Sequence, residues 1–563
     1  MKLRTIVFGV LLAVMSLAAA STAQTRNRTL PETTIPDEGN PLAQYKKYIK
    51  REPFLYHTWG RLVLAKTRES ASLDLLLNDY RKPPIYDEYT RYTLAQLFGR
   101  YFDDYASAPK FEVLRQKYDG PGDMWLWVRT LALTNDAEDN AALAQFIRET
   151  KNTQHKGAAI AALTRRGRQV VIDVIPDVCA AFPKKSKAGE RRLLVGALSG
   201  AILANKGSLT NESMQKAIRA YINLLAKEVG LTHSAKMVIA RHLAKTIGKD
   251  RRYIEPEPWI RLLDQNYIPP KRSGNTVTQT QFFGIDAEGD RICYLVDMSN
   301  SMLKPIDPSL LRKGPITGPK KKKKRKGQLP DENDIPWHLI KSRFDLAREH
   351  LKISIQRLPK DKRFCVVWFG DRSGLLKSTP GMVKASRGTV RKVIKELDDI
   401  KPTGRPAKMA EADAPHGILK GYTNLHGGLT RAFSMQSKGF VKQHSYVDYK
   451  TLEEGCDAIF LISDGAPSSD DFQAFAKHYG DLRVVSELEY AREVKPVSKV
   501  VYQGPMVSPQ WLYAELCRLN VFRKVPVHCI GIGEADIRLL RAFAEVSQGQ
   551  IVLLGAKAKG TGR

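Results

Sequence analysis

The spacing of apolar positions divides the chain into two stretches of different period. From residue 41 to 265, apolar residues recur at three- and four-residue steps, the period of helices that bury one face. Met214, Ala217, Ile218, Tyr221, Leu224 and Leu225 form one such stripe. Ser234–Ile247 repeats it and stops at Gly248, a residue suited to the left-handed position after a helix. Trp125–Leu133, Ala158–Leu163 and Leu193–Leu203 read as further helical cores, and the aromatic residues among them as packing. Stacked helix pairs of HEAT-like type fit this rhythm. An irregular helical bundle fits as well, because no fixed period aligns.

Past residue 285 the pattern changes to short apolar runs alternating with helical stripes, which implies parallel crossover units. Ile292–Val296, Phe364–Phe369, Ala458–Ile462, Val525–Ile532 and Gln550–Leu554 read as buried strands, and Leu375–Thr379 as a short edge strand. Ser342 and Asp345 have capping-box spacing ahead of the stripe Phe344, Ala347, Leu351, Ile355 and Leu358. Val390, Val393, Ile394 and Leu397 mark another helix, with more over Leu425–Phe433, Trp511–Leu519 and Ile537–Val546. Pro-rich punctuation at Glu255–Pro258 and Ile268–Gly274 separates the halves. The expected fold class is multidomain, α plus α/β. A helical domain over 41–265 and a linker over 266–284 precede a doubly wound, mostly parallel, Rossmann-type domain over 285–556, with a tail at 557–563.

Two strand tips carry the candidate chemistry. Asp297, Ser299 and Ser301 follow the first strand directly, and Asp464 ends Ala458–Ile462. In an open parallel sheet, ligands bind beyond the carboxyl ends of strands where the strand order reverses. A strand order of 3-2-1-4-5-6 would make these two strands neighbours at that point. Thr423, in Gly421–Leu425, adds a third hydroxyl. Carboxylates and hydroxyls without sulfur or imidazole are hard donors, suited to Mg²⁺ or Mn²⁺, with Ca²⁺ as a further oxygen-seeking candidate, and unsuited to zinc or copper.

These three segments resemble the metal-ion-dependent adhesion site of the von Willebrand factor type A domain, over roughly 285–556. All five positions of that motif stand here unsubstituted. The resemblance implies that Ser299, Ser301 and Thr423 touch the metal and that Asp297 and Asp464 act mainly through bound water. It also implies an open coordination position, completed by an Asp or Glu carboxylate of a protein partner. No Ser/His/Asp or Cys/His arrangement, second metal cluster or Gly-rich phosphate loop accompanies the motif, so binding is expected and catalysis is not. His426, three residues after Thr423, reads as structural.

Composition adds a compartment and a second kind of partner. Met1–Arg4, the apolar run Ile6–Ala20 and Ser21–Ala23 have the form of a secretory signal peptide over 1–23, followed by a linker over 24–40. The run is short for a bilayer span and nothing later is long enough, so the chain is expected to be exported, to the periplasm, envelope or medium, with no transmembrane segment after cleavage. The six cysteines lack paired spacings and read as small core residues, not as a disulfide framework. A net charge of +31 over 563 residues favours acidic partners, whether polyanionic envelope polymers, anionic membrane surfaces or nucleic acid, with acidic envelope polymers the expected class in an exported chain. No specific nucleic-acid recognition is expected. An insertion over 303–336 separates the metal loop from its helix and carries Lys320, Lys321, Lys322, Lys323, Lys324, Arg325 and Lys326. Charge held so near the rim would attract polyanions or acidic partner loops.

Overall fold

The computed structural model describes residues 39–50, 54–82, 87–102, 137–166, 168–248, 252–265, 281–306, 329–331, 334–370, 372–400, 423–440, 448–464, 467, 509–533 and 535–554. The expected signal peptide, the helical core at Trp125–Leu133 and the cluster Lys320–Lys326 lie outside them. Among the described residues no helix is long and apolar enough to cross a membrane.

The helical stripes bury as their spacing predicts. Met214, Ala217, Ile218 and Tyr221 line the inner face of the helix Glu212–Asn223, all fully buried. His233–Ile247 ends on Gly248 at φ +75°, where a Cβ would be strained. Helices Thr153–Arg166, Ala188–Ala204 and His233–Ile247 stack side by side. Arg168–Ala180, Glu212–Asn223 and Pro256–Gln265 form a second row behind them. These rows share one core, and the helices Pro41–Tyr48 to Asp87–Tyr101 gather around a smaller one centred on Leu73, Leu76 and Tyr80.

The α/β half holds eleven described strands: β1 Gln281–Phe282, β2 Ile285–Asp286, β3 Arg291–Asp297, β4 Arg363–Phe369, β5 Ser373–Leu375, β6 Val383–Lys384, β7 Met435–Gln436, β8 Gly439–Phe440, β9 Ala458–Ser463, β10 Val527–Ile532 and β11 Ile551–Leu554. Seven form the central sheet in the order β11-β10-β9-β3-β4-β5, with β6 also on β4. The five long strands run parallel, while β5 and β6 pair antiparallel to β4. In chain order this is the expected 3-2-1-4-5-6 arrangement, and it sets β3 beside β9.

Alternation along β3 explains why the sheet is covered on both sides. Ile292, Tyr294 and Val296 face the helices Arg343–Arg357 and Arg387–Asp399, through Phe344, Leu351, Val393 and Leu397. Cys293 and Leu295 face Leu425–Phe433, Pro509–Leu519 and Ile537–Ser547, through Leu429, Leu516 and Phe543. All six cysteines are free thiols. The capping box of Ser342 and Asp345 forms in both directions. The hairpin of β1 and β2 also joins this packing, with Phe282 edge-on to Tyr294 and Phe460, so the α/β core begins upstream of Ile285.

One edge element differs from expectation. The strand predicted over Leu375–Thr379 is instead β5, ending at Leu375. Leu376 N–H and the Thr379 hydroxyl meet Val366 through its carbonyl and amide, so the chain turns there and does not continue the ladder.

The two halves meet at the amino-terminal ends of β9 and β10. Helix Ala188–Ala204 lies against Tyr449–Glu454 and the turn at Phe522, whose side chain enters the helical core. Arg192 Nη2 donates to the Arg523 carbonyl at 2.6 Å, and Arg241 Nη2 donates to that of Lys524 at 3.1 Å. Gly189 and Gly196, two turns apart, permit this approach: a Cβ would fall 2.2 Å from the Tyr449 oxygen and 1.9 Å from the Phe522 oxygen.

Candidate functional site

The opposite, carboxyl end of the sheet gathers the polar loops. Asp297 is the last residue of β3 and is fully buried. Met298 N–H donates to the Phe369 carbonyl at 2.7 Å, which turns the following Ser299–Ser301 segment across the strand tips. Asp297 Oδ1 accepts from Ser299 N–H at 2.9 Å, and its Oδ2 accepts from Ser463 Oγ at 2.7 Å. Ser299 Oγ lies 3.0 Å from Ser301 Oγ, which donates to Asp464 Oδ1 at 2.7 Å. Four of the five expected residues thus form one hydrogen-bonded chain across the gap between β3 and β9.

The fifth enters from a separate loop. Asn424 N–H donates to the Gly370 carbonyl at 2.7 Å, which fixes the buried Thr423 loop beyond the end of β4, beside the turn after β3. Asn424 also caps the helix Leu425–Phe433 through Gly427 N–H. His426 points inward on that helix, 4.0 Å from Glu515 Oε1, in a structural position.

Two residues escaped the sequence reading. Ser463 holds the second Asp297 oxygen. Arg343, at the start of the helix after the insertion, donates through Nη1 to Asp464 Oδ2 at 2.7 Å, an ion pair almost wholly out of water. Gly533, at φ +65°, leaves room for that guanidinium, since a Cβ there would fall 2.7 Å from it. Nothing in the local sequence distinguishes Arg343 from the other basic residues of so basic a chain.

Burial and neighbouring charge set the electrostatics of this crevice. Burial, and then the neighbouring Asp464 charge, push Asp297 up to about 7 against the hydrogen bonds from Ser299 and Ser463. Burial also raises Asp464, while Arg343 opposes the shift. Two buried carboxylates within reach of each other disfavour full ionisation unless positive charge lies between them. Arg343 supplies one such charge, from the side. Among the described residues no cluster of three or more His, Cys, Asp or Glu side chains occurs, so the crevice offers two carboxylates and otherwise hydroxyls. That donor set fits a hard divalent ion. A pocket of about 500 Å³, lined by Phe283, Arg541, Glu545 and Gln550, lies at the other end of the sheet and includes none of the five residues.

The fold and the crevice define a helical region joined to a mixed, mostly parallel α/β sheet with a polar site at its switch point. No protein-family model matches the chain, and no curated protein sequence does. Among solved structures, a von Willebrand factor type A protein from Catenulispora acidiphila is similar at 14% identity, covering 48% of this chain and 39% of that one, with a TM-score of 0.24. The chain therefore spans well under half of that structure, and a superposition this loose adds nothing to the description above.

Proposed function

We propose that this chain is an exported, divalent-cation-dependent binding or scaffold protein, whose crevice engages an acidic group of a protein partner. One observation carries the reading: Ser299, Ser301, Asp297 and Asp464, drawn from strand tips far apart in sequence, meet in a single hydrogen-bonded cluster. Ser299, Ser301 and Thr423 would hold Mg²⁺, Mn²⁺ or Ca²⁺, with Asp297 and Asp464 behind them. The bound ion would supply a positive, oxygen-seeking surface for a foreign carboxylate. Around it, this chain's own residues set the charge: Ser463 fixes Asp297, and Arg343 opposes the rise that burial imposes on Asp464.

The chain's net charge favours a second reading, in which a basic surface binds acidic envelope polymers and the metal site serves only the fold. Capture of envelope proteins by the full chain separates the two. The first reading expects capture in Mg²⁺, loss in EDTA and loss in Asp297→Ala. Capture that survives EDTA but collapses in high salt favours the second.

A further inference from the structure

The seam between the halves contains two buried arginines that form no direct ion pair among the described residues. Arg192 and Arg241 are both more than nine-tenths buried. Each spends Nη2 on a backbone carbonyl of the turn before β10, and neither forms an ion pair among the described residues. Arg192 Nε and Nη1 and Arg241 Nε are buried without any partner. Both side chains line a narrow cleft of about 10 Å³ with Ser234, Met237, Val238, Glu288, Gly289 and Asp457.

The nearby acids are already engaged. Asp457 Oδ1 accepts from the Ser234 hydroxyl, and its Oδ2 accepts from Asp290 N–H at 3.0 Å and Arg291 N–H at 3.1 Å. Glu288 pairs with Arg252. Two guanidiniums therefore present unpartnered N–H donors to one small cleft whose two carboxylates, Asp457 and Glu288, are each held by other groups. Leaving buried charge unmatched costs several kcal/mol per ion by general estimates, and a water molecule brings hydrogen bonds but no charge.

We propose that this cleft binds one small monatomic anion, of chloride size, which joins the helical half to the α/β half through Arg192 and Arg241. Its donors are the free N–H groups of Arg192 and Arg241, the carboxylates of Asp457 and Glu288 on the lining are turned to other partners, its volume excludes sulfate or phosphate, and it lies at the end of the sheet opposite the metal crevice. Burial lowers Arg192 to about 10, and burial with the charges of Arg192 and Arg252 lowers Arg241 to about 9, while Asp457 opposes both shifts, so both arginines stay charged at neutral pH.

Bromide is the probe. Crystals of the full chain in sodium bromide should show one anomalous peak in contact with the Arg192 and Arg241 nitrogens. In solution, Tm should rise by about 1–3 °C to a plateau as chloride replaces gluconate at constant ionic strength, and this rise should vanish in Arg241→Gln. No bromide peak in the cleft of the wild-type crystal, or melting that ignores the gluconate-to-chloride exchange, overturns the proposal. The crystal experiment needs no variant, so misfolding of Arg241→Gln does not protect it.

Discussion

Replacing Gly196 by alanine adds one methyl group and tests how closely the two halves are joined. Inside a helix this change is favourable by roughly 1 kcal/mol, because glycine loses more backbone freedom on folding. Here the new Cβ would sit 1.9 Å from the Phe522 carbonyl oxygen. A carbon–oxygen contact needs about 3.3 Å, so helix and turn must separate by more than 1 Å. The obstacle is backbone and cannot rotate away. The same movement stretches the bonds from Arg192 and Arg241 to the neighbouring carbonyls. Overpacking of this kind costs about 1–3 kcal/mol, so Gly196→Ala should be less stable than a clash-free glycine-to-alanine change by that amount, a net destabilisation of about 0–2 kcal/mol against the wild type. Urea unfolding of the wild type, Gly196→Ala and Gly388→Ala measures it. Gly388 lies in a helix with nothing near its would-be Cβ, so alanine there should be neutral or stabilising. If Gly196→Ala matches the Gly388 control, the close approach of the halves is refuted.

The remaining predictions concern charge. Arg343→Met leaves Asp464 buried without its ion pair and should cost about 3 kcal/mol in EDTA by chemical denaturation. Mg²⁺ should then restore more stability to the variant than it adds to the wild type, and an equal metal effect in both would refute the counter-ion role. His528 stacks on Phe460 and accepts from Gln550 N–H through Nδ1, while burial and the charges of Arg241 and Arg252 hold it down to about 3. The unfolded state takes up the proton first, so this residue's share of stability is present above about 6.5 and lost progressively as pH falls toward 3. His528→Gln should flatten the pH dependence of unfolding across that window, and an unchanged slope would count against the assignment.

Much of the α/β half was legible because its signals are local. The unbroken apolar run Ile292–Val296, the capping box at Ser342 and the stripe through Leu351 each declare an element within a few residues. The crevice was legible for the same reason: Asp297, Ser299 and Ser301 are adjacent, and strand order placed Asp464 beside them. What depends on distant pairing was hidden. Arg343 meets Asp464 across 121 positions, and Arg192 meets Arg523 across 331. The small glycines of helix Ala188–Ala204 read as ordinary helix residues until the turn at Phe522 is seen to press on them. The end of the edge strand was missed because Leu376 remains buried after the chain leaves the ladder. Hydropathy alone cannot separate those two situations.

The central claim is that the cluster at the tips of β3 and β9, joined by Thr423, takes up one hard dication. Titration calorimetry with Mg²⁺ and Mn²⁺ on the full chain tests it most directly, alongside Asp297→Ala and Thr423→Ala. The account predicts saturable binding at a single site in the wild type and none in either variant, with the helical and strand signals of circular dichroism retained. Absence of binding in the wild type, or equal binding in all three proteins, would contradict it.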